Sequence, residues 1–376
     1  MSILPALSIS RRPVLGFMAM GVLWGSFAAQ VPVLKEHIGA DDALFGLVLL
    51  GSPLGLIATM WLAPVLDRRL RDLSLPLSAA ALAMAYLIPG IASSALWFFL
   101  AMLGLGLTSG VLDIVSNARV SELEASTGRP LMNANHGMFS VAYAISAIAT
   151  GFAREAGVPP LPIFAFLSAL VIVAAFFMRM AVTHVDEEEH RSVHLPAAVV
   201  WLCGGIVLTA FFVEAVVESW SALHIERTLG GNAAEGAFAP AILGITMAVG
   251  RLSGQALAGR VTDRSIIAWG SGIAFVGAAI AAIASLPSVA YLGFGLMGLG
   301  VSVVGPLALA LVGRLVPRAH RATAVARVNV IGFAAFILAP LIMGQVSDAF
   351  GLRVAFGVVA VLALASPFMV AALERR

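Results

Sequence analysis

A chain of 376 residues with 60% hydrophobic and 11% charged residues, and a mean hydropathy of +1.00, does not have the composition of a water-soluble globule. Its formal net charge is only +2, and the basic residues are scattered, which argues against a nucleic-acid partner. The one cysteine, Cys203, leaves no intrachain disulfide and no thiolate metal site, and the seven histidines supply no metal-ligand pair on one helical face, so no cofactor is expected.

Charge-free runs occupy 13–34, 43–66, 73–112, 130–153, 156–178, 192–213, 236–250, 265–313, 328–347 and 354–373. A hydrocarbon core ~30 Å thick takes about 20 apolar residues per helical crossing. The segment before the first run, Ser10-Arg11-Arg12-Pro13, looks like a twin-arginine export signal. The apolar stretch behind it is as long as a span and more membrane follows, so it is read as the first span. The run 73–112 breaks at Pro89-Gly90, and 265–313 breaks around Ser285 to Ser288, so each predicts two helices and a turn. The run 236–250 is interrupted by Arg251, and its apolar pattern continues to Ala258. Twelve spans result. Apolar residues fill both phases of the strand period, which excludes a β-barrel.

If the first span starts inside, one set of loops holds 16 basic residues, among them Arg119 and Arg314, and the other holds Lys35, Arg154, Arg227 and Arg353. The positive-inside bias then places both termini in the cytoplasm. The longest hydrophilic stretch, 184–194, contains Asp186-Glu187-Glu188-Glu189 and reads as a solvated cytoplasmic linker between 1–183 and 195–376. The two parts match. Ala63-Pro-Val-Leu-Asp67-Arg68 ends the second span and Gly259-Arg-Val-Thr-Asp263-Arg264 ends the eighth, with the aspartates 196 residues apart. Gly151-Phe-Ala-Arg-Glu155 and Gly344-Gln-Val-Ser-Asp348 repeat at 193. Two six-helix repeats in parallel are expected.

With these corners the chain resembles the major facilitator superfamily over nearly its whole length. Asp67-Arg68-Arg69-Leu70-Arg71 looks like the family signature G-x-x-x-D-R-x-G-R, with Ala63 and Leu70 in place of its glycines. The resemblance implies an all-α membrane protein of twelve transmembrane helices in two pseudo-symmetric six-helix bundles. It also implies that Asp67, Arg68, Asp263 and Arg264 latch the halves when the cytoplasmic side is closed; the alternative is a loop that only sets topology. Leu23-Trp24-Gly25, Asp113-x-x-x-Asn117 and Asn133-x-Asn135-His136 resemble the fucose-permease-like branch of bacterial inner-membrane proteins. The sugar transporters of that branch carry an acid in the first helix, and none stands between Pro13 and Leu34.

Ionisable residues within spans are costly, so each one calls for an explanation. Asp113 and Asn117, four apart, share a face of the fourth helix. A turn near Glu124 puts Asp113 and His136 at nearly equal depth, where a carboxylate and an imidazole can hold or pass a proton. The alternative is a structural hydrogen bond between the fourth and fifth helices. Glu214 and Glu218 stand one turn apart in the seventh helix; Glu214 is a candidate ligand for substrate or proton, Glu218 is expected at the watery rim, and Trp220 looks like an interfacial anchor. Arg251 is near the level of Asp113, with Glu214 still within its reach; Asp113 or Glu214 can neutralise it, and its guanidinium also suits an anionic substrate. Arg327 and Asn329 lie in the eleventh helix, with Asn329 the counterpart of His136.

The expected function is a secondary transporter of the bacterial inner membrane that moves a small polar solute, a sugar or an organic acid, by alternating access. Protons are the expected driving ion, the bilayer is the solvent, and the expected state is a monomer. Asp113, Asn117, Asn135, His136, Glu214 and Arg251 are its candidate cavity and coupling residues. Proton-driven efflux of amphipathic drugs is one alternative and a non-transporting sensor or scaffold is another. A membrane-embedded enzyme needs an acid, histidine or metal cluster at the lipid boundary, and the short loops offer none.

Overall fold

The computed structural model describes residues 3–181, 195–257, 261–317 and 320–374. The linker 184–194 and Gly259 of the second repeat corner lie outside the described residues. After a short helix Ile3–Ile9, the described helices are α1 Pro13–His37, α2 Asp42–Leu49 continued by Gly51–Leu70, α3 Ser74–Ala85, α4 Ala95–Thr127, α5 Met132–Glu155 and α6 Pro160–Ala175. The second set is α7 Ala197–Leu223, α8 Ala233–Leu257, α9 Asp263–Ile283, α10 Pro287–Val301 with Val304–Leu315, α11 Arg321–Phe333 with Ala335–Phe350, and α12 Leu352–Ala363 with Ala365–Glu374.

Ten helical stretches are long and apolar enough to cross a membrane. One of them, Asp42–Gly90, has 49 residues. As one rod it would reach ~73 Å, more than twice the ~30 Å hydrocarbon core. It folds back at Arg71, a non-glycine residue at φ 53°, and so carries both α2 and α3. The shorter apolar helix α6 completes the set, and each span expected from the sequence finds a helix.

The turn between α4 and α5 comes later than Glu124. α4 runs to Thr127, and Gly128 closes it in the left-handed conformation at φ 64°. Glu124 caps α5 instead: its Oε1 accepts from the backbone N–H groups of Leu131 at 2.5 Å and Met132 at 2.8 Å.

The helices have an arginine-rich end and an arginine-poor end. The two halves meet from mid-membrane to the arginine-poor end. There the first piece of α2 packs on the second piece of α11, α5 packs on α8, and α1 packs on α7. Toward the other end, Gly51–Leu70 and Arg321–Phe333 pack chiefly within their own halves. Small residues permit the close crossings. Ala29, Ala144, Ala147, Ala237 and Ala241 form one buried cluster shared by α1, α5 and α8.

At the α2–α11 crossing a side chain on Gly46 would meet the Pro340 carbonyl oxygen, with Gly344 Cα 3.0 Å away. Gly46→Leu is therefore expected to cost about 1–3 kcal/mol through overpacking, read as a lowered melting temperature of the purified protein. Gly104→Ala is the control. A Cβ there meets nothing within 4 Å, so no loss is expected.

Candidate functional site

The bilayer sorts the faces of each helix. On α4 the exposed residues Leu96, Trp97 and Leu100 mark the lipid side. At ~100° per residue Asp113 lies roughly 160–260° round from them, on the inward face. The same reckoning sets His136 opposite exposed Val141 and Ile145 on α5, and Glu214 away from exposed Trp201 on α7. Asp113, Asn117, His136, Glu214 and Arg251 are all partly accessible rather than sealed. Ionisable groups that face inward from membrane-spanning helices are candidates for a functional site.

Asn117 links the members of the first cluster. Its amide nitrogen donates to Asp113 Oδ1 at 2.9 Å, and its amide oxygen lies 3.3 Å from His136 Nε2. The expected direct contact of Asp113 with His136 does not form, because Asn117 stands between them. The later turn at Gly128 accounts for the direction of this shift, since it moves the residue opposite His136 toward the C-terminus of α4. The edge of Phe17 packs on the His136 ring, with centroids 4.7 Å apart.

The second cluster crosses between the halves. Arg251 of α8 pairs with Glu214 of α7, Nη2 to Oε1 at 3.6 Å, and donates through Nη1 to Ser140 Oγ of α5 at 3.2 Å. Of the two acids open to Arg251 in the sequence, Glu214 is the one that meets it. Ser140 follows His136 by one turn on the same helix, so the two clusters adjoin along one face of α5. Four helices from both halves thus contribute to one string of polar side chains.

Asn135 does not join them. It is buried and donates to Ser10 Oγ at 3.0 Å and to the Leu131 carbonyl at 2.9 Å, tying α5 to the segment before α1. Trp220 is not an interfacial anchor. It is fully buried and packs edge-on against Phe45 of the other half, with centroids 5.8 Å apart. Arg327 is exposed and outside the string.

The four corner residues do not bridge the halves in this structure. Asp67 pairs with Arg119, which is 1% exposed inside α4 rather than in a loop, and Arg119 also donates to Glu122 at 2.8 Å. Asp263 pairs with Arg314. The aspartates are 196 residues apart and their arginines 195, so the duplication extends to the ion pairs. Arg68 is exposed and Arg264 half-buried.

The inter-half ion pairs stand at the arginine-poor end, among charges that sequence reasoning had counted as loop residues. Arg227 reaches both oxygens of Asp42, at 2.6 and 2.5 Å. Asp42 also accepts from Ser347 at 2.7 Å and pairs with Lys35 at 3.0 Å. Arg154 grips Glu226 through two bonds of 2.8 and 2.9 Å. Consecutive Glu226 and Arg227 reach two different helices because the chain widens to a π-turn over His224–Thr228. The only sequence signal for these pairs was opposite charge at span ends, and it named no partners.

The chain matches the sequence model of the Major Facilitator Superfamily over residues 14–295 and again over 203–376. An uncharacterised transporter of that type from Yersinia pestis is 27% identical over 364 residues, covering 96% of this chain and 94% of its own length. Membrane protein MosC of Rhizobium meliloti is 24% identical over 345 residues, covering 89% of this chain and 83% of its own. Among solved structures, nucleoside transporter NupG superposes with a TM-score of 0.75 at 14% identity, over 98% of this chain and 99% of that one. A D-xylose-proton symporter does so at 0.73 and 15%, over 98% and 97%. Identities this low speak for a shared fold.

Proposed function

Because the chain belongs to the major facilitator superfamily, we propose that it is a secondary active transporter that moves a small polar solute, a sugar or an organic acid, by alternating access with proton coupling. The observation that carries this reading is the string Asp113–Asn117–His136 adjoining Ser140–Arg251–Glu214, shared by four helices and both halves. Arg251 offers a planar, permanently charged donor to a solute oxygen or carboxylate. Asp113 and His136 can each hold a proton, and Asn117 between them fixes the position of both side chains.

The moving units are 1–183 and 195–376, joined by 184–194 and acting within one monomer. The arginine-rich end is the cytoplasmic one, with both termini there, and the membrane is the bacterial inner membrane. In this orientation the described state is latched outside by Asp42–Arg227 and Glu226–Arg154 and faces inward. Asp67, Arg68, Asp263 and Arg264 come together as the cytoplasmic gate when the halves rock the other way.

A thermal-shift panel of sugars and carboxylates at two pH values identifies a solute, and its uptake into proteoliposomes under a pH gradient is then compared for the native protein and Asp113→Asn. Loss of gradient-driven uptake in a variant that keeps its melting temperature is expected. An unchanged pH dependence removes Asp113 from coupling. Solute binding without flux under any gradient points to a sensor instead.

A further inference from the structure

Arg11 and Arg12 take no part in the polar string or in the inter-half latch. With Leu15, Phe176, Phe177 and Arg179 they line a concavity of about 490 Å³ at the arginine-rich end, where α1 begins and α6 has ended. Both guanidinium groups are exposed, and neither has a hydrogen bond or ion pair among the described residues. Arg179 differs: its Nε donates to Asp72 Oδ2 at 2.6 Å. Among the described residues, the concavity therefore holds two positive charges without a partner and a third that is shared.

Its other wall is apolar. Phe176 is 80% exposed and Phe177 69%. Phe166, Leu170, Val173 and Phe177 are all exposed, at steps of four, three and four residues. That spacing lines them along one face of α6 and its C-terminal turn. The stripe is about 16 Å long, close to half of a ~30 Å hydrocarbon core. It leads from mid-membrane into the basic concavity at the membrane edge.

We propose that Arg11, Arg12 and this α6 stripe form a binding site for one anionic phospholipid. The phosphate sits on the two guanidinium groups and an acyl chain lies along the stripe. Basic pockets at the membrane face attract anionic headgroups, and guanidinium forks suit phosphate oxygens. A free phosphate would satisfy the cations and leave the phenylalanine rings uncovered. A phospholipid satisfies both walls.

The test is native mass spectrometry of the full-length protein released from nanodiscs of mixed phosphatidylglycerol and phosphatidylcholine. The native protein is expected to retain phosphatidylglycerol selectively. Arg11→Gln with Arg12→Gln is expected to lower that retention about tenfold or more. Leu170→Gln with Phe177→Gln, which leaves the cations in place, is expected to lower it as well. Equal retention in the first pair overturns the site. Retention that survives the second pair and is displaced by inorganic phosphate shows a free-anion site, and overturns it too. So does retention that emerges only when Asp186 to Glu189 are made neutral, because the linker then covers the arginines. Failure here leaves the transport reading intact, since neither pair touches the polar string.

Discussion

Arg251→Ala is expected to lower proton-driven solute uptake about 100-fold or more, because it removes the one cation of the central string and leaves Glu214 without its counterion. The pair is loose at 3.6 Å, and both side chains are 18% exposed. The cost to folding is thus about 1–3 kcal/mol, well short of unfolding the bundle. The purified variant should accordingly melt within several degrees of the native protein. Arg251→Lys keeps the charge but not the fork that reaches Glu214 and Ser140 together, so it is expected to recover little. Ser140→Ala removes a single hydrogen bond and is expected to cost about fivefold. Initial uptake rates in proteoliposomes, matched for incorporated protein, decide the matter. A native rate in Arg251→Ala would move the substrate site elsewhere.

Asp42→Asn is expected to shift the protein away from the state described here. Asp42 is 4% exposed and answers Arg227, Lys35 and Ser347 at once. Without its charge, Lys35 and Arg227 face each other with no counterion between them; because the Arg227 side chain is 44% exposed, the loss is about 1–3 kcal/mol. That cost falls chiefly on the state closed at the arginine-poor end, because opening there returns the cations to water. A difference of about 2 kcal/mol changes the ratio of two states by about 30-fold. Spin labels on α2 and α11 at that end should report longer distances in the variant. Asp42→Asn combined with Arg227→Gln removes the repulsion and should restore part of the short-distance population. Identical distance distributions in the native protein and Asp42→Asn would exclude this cluster as a latch.

Asp113 was legible in the sequence and Asp42 was not. Asp113 drew attention because a carboxylate inside a hydrophobic span is anomalous whatever surrounds it. Asp42 drew none, because a carboxylate at the edge of a span is ordinary. Its partner Arg227 lies 185 residues away, and no periodicity carries that distance. The same holds for Trp220. An aromatic residue near a span end looks like a membrane anchor until the rotation of α7 turns it toward Phe45.

Composition and spacing alone determined the twelve helices, the duplication and the inward polar residues, since a bilayer demands length, apolarity and backbone satisfaction of each helix separately. Partner choice was decided only by the tertiary structure. Which acid meets Arg251, that Asn117 stands between Asp113 and His136, that Asn135 faces elsewhere, and at which end the halves are latched all depend on helix rotation, turn register and the docking of two halves. Those are collective properties of packed surfaces, and no local stretch of chain encodes them by itself.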